Sequence, residues 1–404
     1  MKKSVSLILA LLLVFSLCAC GKNGQPANDN GQEGGNVSAA DSPFAQERTV
    51  SQEKGAERDL NNTFAKLNKD KKLNIAYMGG SVTVGVGSPD NCWRTMTTNW
   101  FKENFSGAQI NEINSAVNGT GTYLALTRLD SVIKQKPDLL FLEFSVNDVY
   151  QGFSGIQAAT YMDSIINRVN TACPETDIVM IFVTDKDRVG KQYEQMVYHK
   201  NVADYYGVPN IDVGEALKIE LDKTGRNWEY YVTDFVHPNA EGYTVYFNRI
   251  KEYLTQQKDN FANSQTIKSH TISGSAVTNA LTQAKVTAAE EIEFDEQYFK
   301  IGKARTNITQ SSPYEKVLVP TGAGGKITIE FEGASIGFVM ELKKGADVVC
   351  YLDGGNEKQI KVKENATNEI ERPMFENLTN GRHTLVLENK SDGYFALAAV
   401  MVCK

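Results

Sequence analysis

Apolar positions fall into two textures along the chain. From about Glu57 to Gln257, short apolar runs alternate with segments of helical period. Leu73–Met78, Ile110–Val117, Asp138–Phe144 and Ile178–Val183 read as strands. Between and after them, helical patterns occupy Trp93–Phe105, a stretch ending near Lys134, Ile156–Ala172, Tyr193–Tyr206 and Ala240–Thr255. The run Asp138–Phe144 shows no polar alternation, as expected of a strand buried on both faces. Strands that alternate with helices predict a parallel sheet covered on both sides. In such sheets, ligands gather beyond the carboxyl ends of the strands.

From about Ile292 the texture changes to short β-like runs separated by turns: Lys326–Phe331, Ile336–Leu342, Val348–Leu352, Gln359–Val362, His383–Leu387 and Phe395–Val402. With no segment of helical length, residues 291–404 predict a small antiparallel β-sandwich. The expected divisions are a leader at 1–20, a flexible tether at 21–56, an α/β domain at 57–260, a polar linker at 261–290 and the sandwich at 291–404. The tether follows from composition, because Gly, Asn, Gln, Ser, Asp and Glu bury too little surface to order a chain.

Lys2 and Lys3, the apolar run Val5–Leu17 and the small residues after it read as an export signal, too short for a membrane span. Its end, Leu17-Cys18-Ala19-Cys20, resembles the lipobox of bacterial lipoproteins, which implies lipidation at Cys20 and attachment to the outer face of the cell membrane. The remaining cysteines, Cys92, Cys173, Cys350 and Cys403, form no CxxC or His/Cys cluster, so no metal is expected. They read as small buried hydrophobes, with a Cys350–Cys403 disulfide as the alternative. The formal net charge of −7 disfavours nucleic acid and anionic lipid as partners.

The strand ends carry the candidate chemistry. The first strand leads into Gly79-Gly80-Ser81, the second into Asn118-Gly119-Thr120-Gly121, and the third into Ser145-Val146-Asn147-Asp148. Asp234-Phe235-Val236-His237-Pro238 precedes the last helix. A serine hydroxyl needs a base, neutral imidazole serves as one near pH 7, and an Asp three residues earlier can fix the imidazole tautomer. Backbone N–H groups and an asparagine amide suit a developing oxyanion. Taken singly, each block has a plainer reading. Asn147-Asp148 could be a turn, Asp234–His237 a helix cap before Pro238, and Gly79-Gly80 a phosphate loop, although no GxGxxG or Walker lysine follows. Of the four histidines only His237 has a suitable setting, since His199 lies in a helical pattern, His270 in the linker and His383 in a β-run.

Together and in this order, the four blocks resemble the SGNH (GDSL-type) hydrolases over roughly Leu73–Gln257. The resemblance implies a flavodoxin-like three-layer α/β/α fold and ester hydrolysis without a cofactor. It makes Ser81 the nucleophile, His237 the base and Asp234 its orienting partner, with Ser81, Gly119 and Asn147 as oxyanion donors. Gly80 and Ser145 depart from the family pattern, which has Asp and Gly there. A second serine motif, Gly333-Ala334-Ser335-Ile336-Gly337, spells GxSxG and is followed by Asp353 and His383. A nucleophile elbow requires a strand before it and a helix after it. β-like runs flank this one on both sides, which predicts a hairpin bend.

The C-terminal part faintly resembles jelly-roll modules found beside carbohydrate-active enzymes, through Tyr351-Leu352-Asp353-Gly354. These readings predict a serine esterase that removes small acyl groups, acetyl foremost, from extracellular or cell-wall carbohydrate. A lipase or lysophospholipase, a glycan O-acyltransferase and a non-catalytic glycan-binding lipoprotein are the competing expectations.

Overall fold

The structure is a computed structural model that describes residues 47–270, 274–303, 314–362 and 368–404. The expected leader, Cys20 and the tether up to residue 46 lie outside the described residues. None of the described helices is long and apolar enough to cross a membrane.

The first part runs α1 (Asn61–Asp70), β1 (Lys72–Gly79), α2 (Ser81–Val84), α3 (Trp93–Asn104), β2 (Gln109–Asn114), α4 (Thr122–Ile133), β3 (Leu139–Glu143) and α5 (Ser145–Tyr150). It continues through α6 (Gly155–Ala172), β4 (Asp177–Phe182), α7 (Glu194–Tyr206), β5 (Asn210–Asp212), α8 (Val213–Thr224), α9 (Trp228–Tyr231) and α10 (Ala240–Asn260). The five strands form a parallel sheet in the order β2-β1-β3-β4-β5, the flavodoxin-like arrangement that was expected. Every residue of β3 and β4 is buried, which is why neither strand alternates in polarity. On one face Leu140, Leu142 and Met180 pack with α4 and α6; on the other, Leu139, Phe141 and Ile181 pack with Trp93, Tyr243 and Tyr246.

Among the described residues, the second part has ten strands: β6 (Ala284–Ala288), β7 (Phe299–Lys303), β8 (Lys316–Pro320), β9 (Lys326–Gly333), β10 (Ser335–Leu342), β11 (Asp347–Leu352), β12 (Gly355–Lys361), β13 (Asn368–Phe375), β14 (Gly381–Asn389) and β15 (Phe395–Cys403). One sheet has the order β13-β10-β15-β8-β7 with β6 also on β15, and the other has the order β12-β11-β14-β9. Phe338, Met340 and Leu397 of the first sheet share a core with Val348, Leu385 and Leu387 of the second. Both pairings are antiparallel, as expected of a sandwich. The Asp353-Gly354 pair that suggested a sugar-binding module is a two-residue hairpin turn between β11 and β12, with φ of 52° and 73°.

Two expectations need correction. Residues 47–56, read as the end of the tether, lie against the fold: Ser51 N–H donates to Ala276 O at 2.7 Å and Gly55 N–H to Asp204 O at 2.8 Å. The linker segment 261–290 contains β6 and buries Ala276, Val277 and Leu281 in the core beneath α6. These few apolar residues sit in polar surroundings, so composition alone hides them. The two parts also share apolar contacts. Leu124 of α4 packs with Val317, Val339 and Ala398, while Ala334, Met401 and Cys403 join the core of the parallel sheet. All four described cysteines are free, so Cys350 and Cys403 form no disulfide. Burial pushes both thiols up to about 12, which leaves them protonated and unreactive.

Candidate active site

The carboxyl ends of β1, β2 and β3 and the loop before α10 converge, as the parallel sheet requires. β1 ends at Gly79, Gly80 stays extended, and Ser81 opens the single turn of α2. His237 Nε2 lies 2.7 Å from Ser81 Oγ, and its Nδ1 lies 2.7 Å from Asp234 Oδ2. A carboxylate only accepts, so the hydrogen resides on Nδ1 and the Nε2 lone pair faces the serine hydroxyl. That relay can take a proton from Ser81 as its oxygen attacks a carbonyl.

The loop from Thr233 to Pro238 is shaped by its own hydrogen bonds. Asp234 Oδ1 accepts the N–H groups of Val236 and His237, both at 2.8 Å, and Trp228 Nε1 donates to Asp234 O at 2.8 Å. Partial burial would raise the Asp234 carboxyl. The Val236 N–H, the His237 ring and the His237 N–H outweigh it and hold the group below its ordinary value. Asp234 therefore stays ionised wherever imidazole is neutral. Asn239 closes the loop by capping α10, its side chain accepting from Glu241 and Gly242 N–H.

The candidate oxyanion donors come from separate loops. Asn147 lies on α5 and spends one amide hydrogen on Thr120 O at 3.0 Å, which leaves the second for a ligand. Gly119 turns its loop with φ of 71°, and its carbonyl accepts from Gln151 Nε2 at 2.7 Å. Gly80 has a local physical reason for departing from the family's Asp. A Cβ there would meet Asn147 Nδ2 at 2.3 Å, so only glycine lets the amide approach the serine turn.

Several supporting residues escaped sequence reasoning. Arg128 of α4 is buried and donates to Ser115 O at 2.8 Å, Thr120 Oγ1 at 2.9 Å and Gly79 O at 3.3 Å, tying the first two loops together. Tyr243 of α10 donates to Val86 O at 2.8 Å behind the serine turn. Asp148 accepts the N–H and hydroxyl of Thr122, at 2.7 and 2.9 Å, and faces the buried His199 at 3.0 Å. Glu143 lies under Gly80 at the end of β3. One signal was legible: a glutamate at the end of an otherwise apolar strand.

The other serine motif is not assembled. Ser335 Oγ is buried without a hydrogen-bond partner, while both ring nitrogens of His383 are engaged, by Asp353 and by Thr379 O, each at 2.8 Å. Gly333–Gly337 is a bend that carries the chain from β9 in one sheet to β10 in the other, rather than the hairpin expected. Among the described residues, no three His, Cys, Asp or Glu side chains are grouped to hold a metal.

Residues 77–245 match the family model described as the GDSL-like lipase/acylhydrolase family. Over this stretch the chain is similar to the GDSL-like hydrolases. No curated protein sequence matches the chain. Among solved structures, a two-domain esterase (CEX) active on acetylated mannans is similar over 86% of this chain and 96% of its own, at 18% identity and a TM-score of 0.70. The same description applies to a crystal form grown with mannopentaose, similar over 89% of this chain and 99% of its own, at 17% identity and a TM-score of 0.71. The likeness extends across both parts of the fold, the parallel sheet and the antiparallel sheets alike.

Proposed function

We propose that Ser81, His237 and Asp234 form a catalytic triad that removes small acyl groups, acetyl foremost, from carbohydrate outside the cytoplasm. The observation that carries this reading is the single imidazole bridging Ser81 Oγ and Asp234 Oδ2 at 2.7 Å on each side. Ser81 Oγ attacks the ester carbonyl as His237 Nε2 takes its proton. The tetrahedral oxyanion is met by the N–H groups of Ser81 and Gly119 and by the free hydrogen of Asn147 Nδ2. Collapse expels the sugar oxygen, which leaves with the proton from His237. Water then attacks the acyl-enzyme through the same base and releases acetate.

The carbohydrate part of the reading is supported by likeness, since the two-domain fold is shared with esterases described as active on acetylated mannans. The residues around Lys2 to Cys20 support export and a lipid anchor at Cys20, and the net charge of −7 disfavours docking on anionic lipid. The test is acyl-chain preference together with acetate release. Wild-type kcat/KM should fall steeply from p-nitrophenyl acetate to octanoate, and acetylated mannan should release acetate. A maximum at eight carbons or longer would make the protein a lipase instead, because each methylene in a fitting apolar pocket contributes about 0.8 kcal/mol.

A further inference from the structure

We infer that Glu143 is a positioning residue for the serine turn, its Oε2 accepting from both the Gly80 N–H and the Thr83 hydroxyl and so fixing Ser81 against His237. The inference rests on Ser81 being the nucleophile. Glu143 is 1% exposed at the carboxyl end of β3, beneath the first residues of α2. Oε2 lies 2.8 Å from Thr83 Oγ1 and 3.3 Å from Gly80 N. Thr83 is itself fully buried, and Gly79 has no room for a side chain there, since a Cβ would meet Thr83 Oγ1 at 2.2 Å. The outer side of the same turn is held by Arg94 Nε, which donates to Thr83 O at 3.0 Å. One carboxyl oxygen thus organises the residues on both sides of Ser81.

The other oxygen explains why the group is a glutamate that need not be ionised. Oε1 is buried with no hydrogen-bond partner. A proton placed there leaves Oε2 free to accept both bonds, so the turn is held in either protonation state. The groups facing Glu143 are Asp148 from α5, Tyr193 from the loop after β4, and Tyr243 and Tyr246 from α10. Burial, reinforced by Asp148, raises the Glu143 carboxyl to about 7 despite the hydrogen bonds from Thr83 and Gly80. Its charge therefore appears around neutral pH. An ionised Glu143 places a negative charge behind the turn whose N–H would bind the oxyanion, and the neutral form does not. Activity should sag on the alkaline side as Glu143 ionises.

Three variants test this. Glu143→Gln keeps an accepting oxygen and is neutral at every pH, so it should retain kcat within about threefold below neutrality. It should also lose the alkaline sag. Glu143→Met fills the space without an acceptor and should lower kcat on the order of 100-fold at nearly constant KM, through misplacement of Ser81. Thr83→Val removes one of the two donors and should fall between wild type and Glu143→Met, and it serves as the second readout if Glu143→Met fails to fold. Wild-type kcat in Glu143→Met, or an unchanged pH profile in Glu143→Gln, overturns the inference. Ser81→Ala, assayed alongside, separates the two levels. Turnover in that variant sinks the nucleophile assignment itself, whereas an inactive Ser81→Ala beside unaltered Glu143 variants sinks only the role of Glu143.

Discussion

Replacing Asp234 with asparagine tests the relay at its most constrained point. The carboxylate accepts three hydrogens: from His237 Nδ1 at 2.7 Å on Oδ2, and from the Val236 and His237 N–H groups at 2.8 Å on Oδ1. An amide cannot reproduce this set. If its oxygen stays with the two backbone donors, its NH2 faces Nδ1 and drives the hydrogen to Nε2, where the ring can no longer accept from Ser81. If it flips, the NH2 opposes two backbone N–H groups and leaves them unsatisfied. A buried aspartate in this role is worth about 10,000-fold in kcat, or about 5.5 kcal/mol. The Asp234 side chain is 51% exposed, so water can replace part of its contribution. We therefore expect a loss of about 100–1,000-fold, intermediate between full removal and solvent screening. The assay is kcat and KM on p-nitrophenyl acetate, with a thermal melt to show that the fold persists. A well-folded Asp234→Asn enzyme within about tenfold of wild type would refute the reasoning.

Three further outcomes follow from the packing. Gly80→Ala puts a methyl 2.3 Å from Asn147 Nδ2, so it should push the amide off Thr120 O and lower kcat on the order of 100-fold while sparing KM; unchanged kcat would exclude Asn147 as an oxyanion donor. Glu143 is raised to about 7 and Asp163 to about 6, both chiefly by burial, so the folded chain holds protons that the unfolded chain has released. Stability should accordingly decline as pH rises from the ordinary carboxyl range through neutrality, and urea midpoints that increase over that window would contradict the burial argument. Truncation after Asn260 uncovers Leu124 and the core residues packed against Ala334, Met401 and Cys403. Each large apolar side chain so exposed forfeits about 1.5–3 kcal/mol, and an unchanged melting temperature would show that the two cores are independent.

Much of the site was legible because it is local in sequence. Ser81, Gly119 and Asn147 each follow an apolar run by a few residues, and Asp234 and His237 share one loop, so strand ends and spacing were enough to group them. The α/β texture was visible for the same reason, since β3 and β4 are fully buried and read as unbroken apolar runs. What stayed hidden depends on distant partners. β7 and β8 are short and mixed in polarity, and they are strands because each pairs with the other and β8 with β15. Arg128 gave no signal, because a lone arginine in a helix is usually solvated, whereas here it is turned inward to three acceptors. The packing of residues 261–290 was likewise invisible, because Val277 and Leu281 are isolated in a polar stretch and find their neighbours on α6 and β15.

The central claim is that Ser81 is the attacking atom, and covalent trapping tests it most directly. Treatment with a p-nitrophenyl phosphonate, followed by peptide mapping, should yield one adduct, on Ser81, formed in step with the loss of acetate release. Ser81→Ala should be unlabelled and inactive, and Ser335→Ala should label and turn over like wild type. An adduct on any other residue with equal loss of activity, or acetate release by Ser81→Ala, would contradict the account.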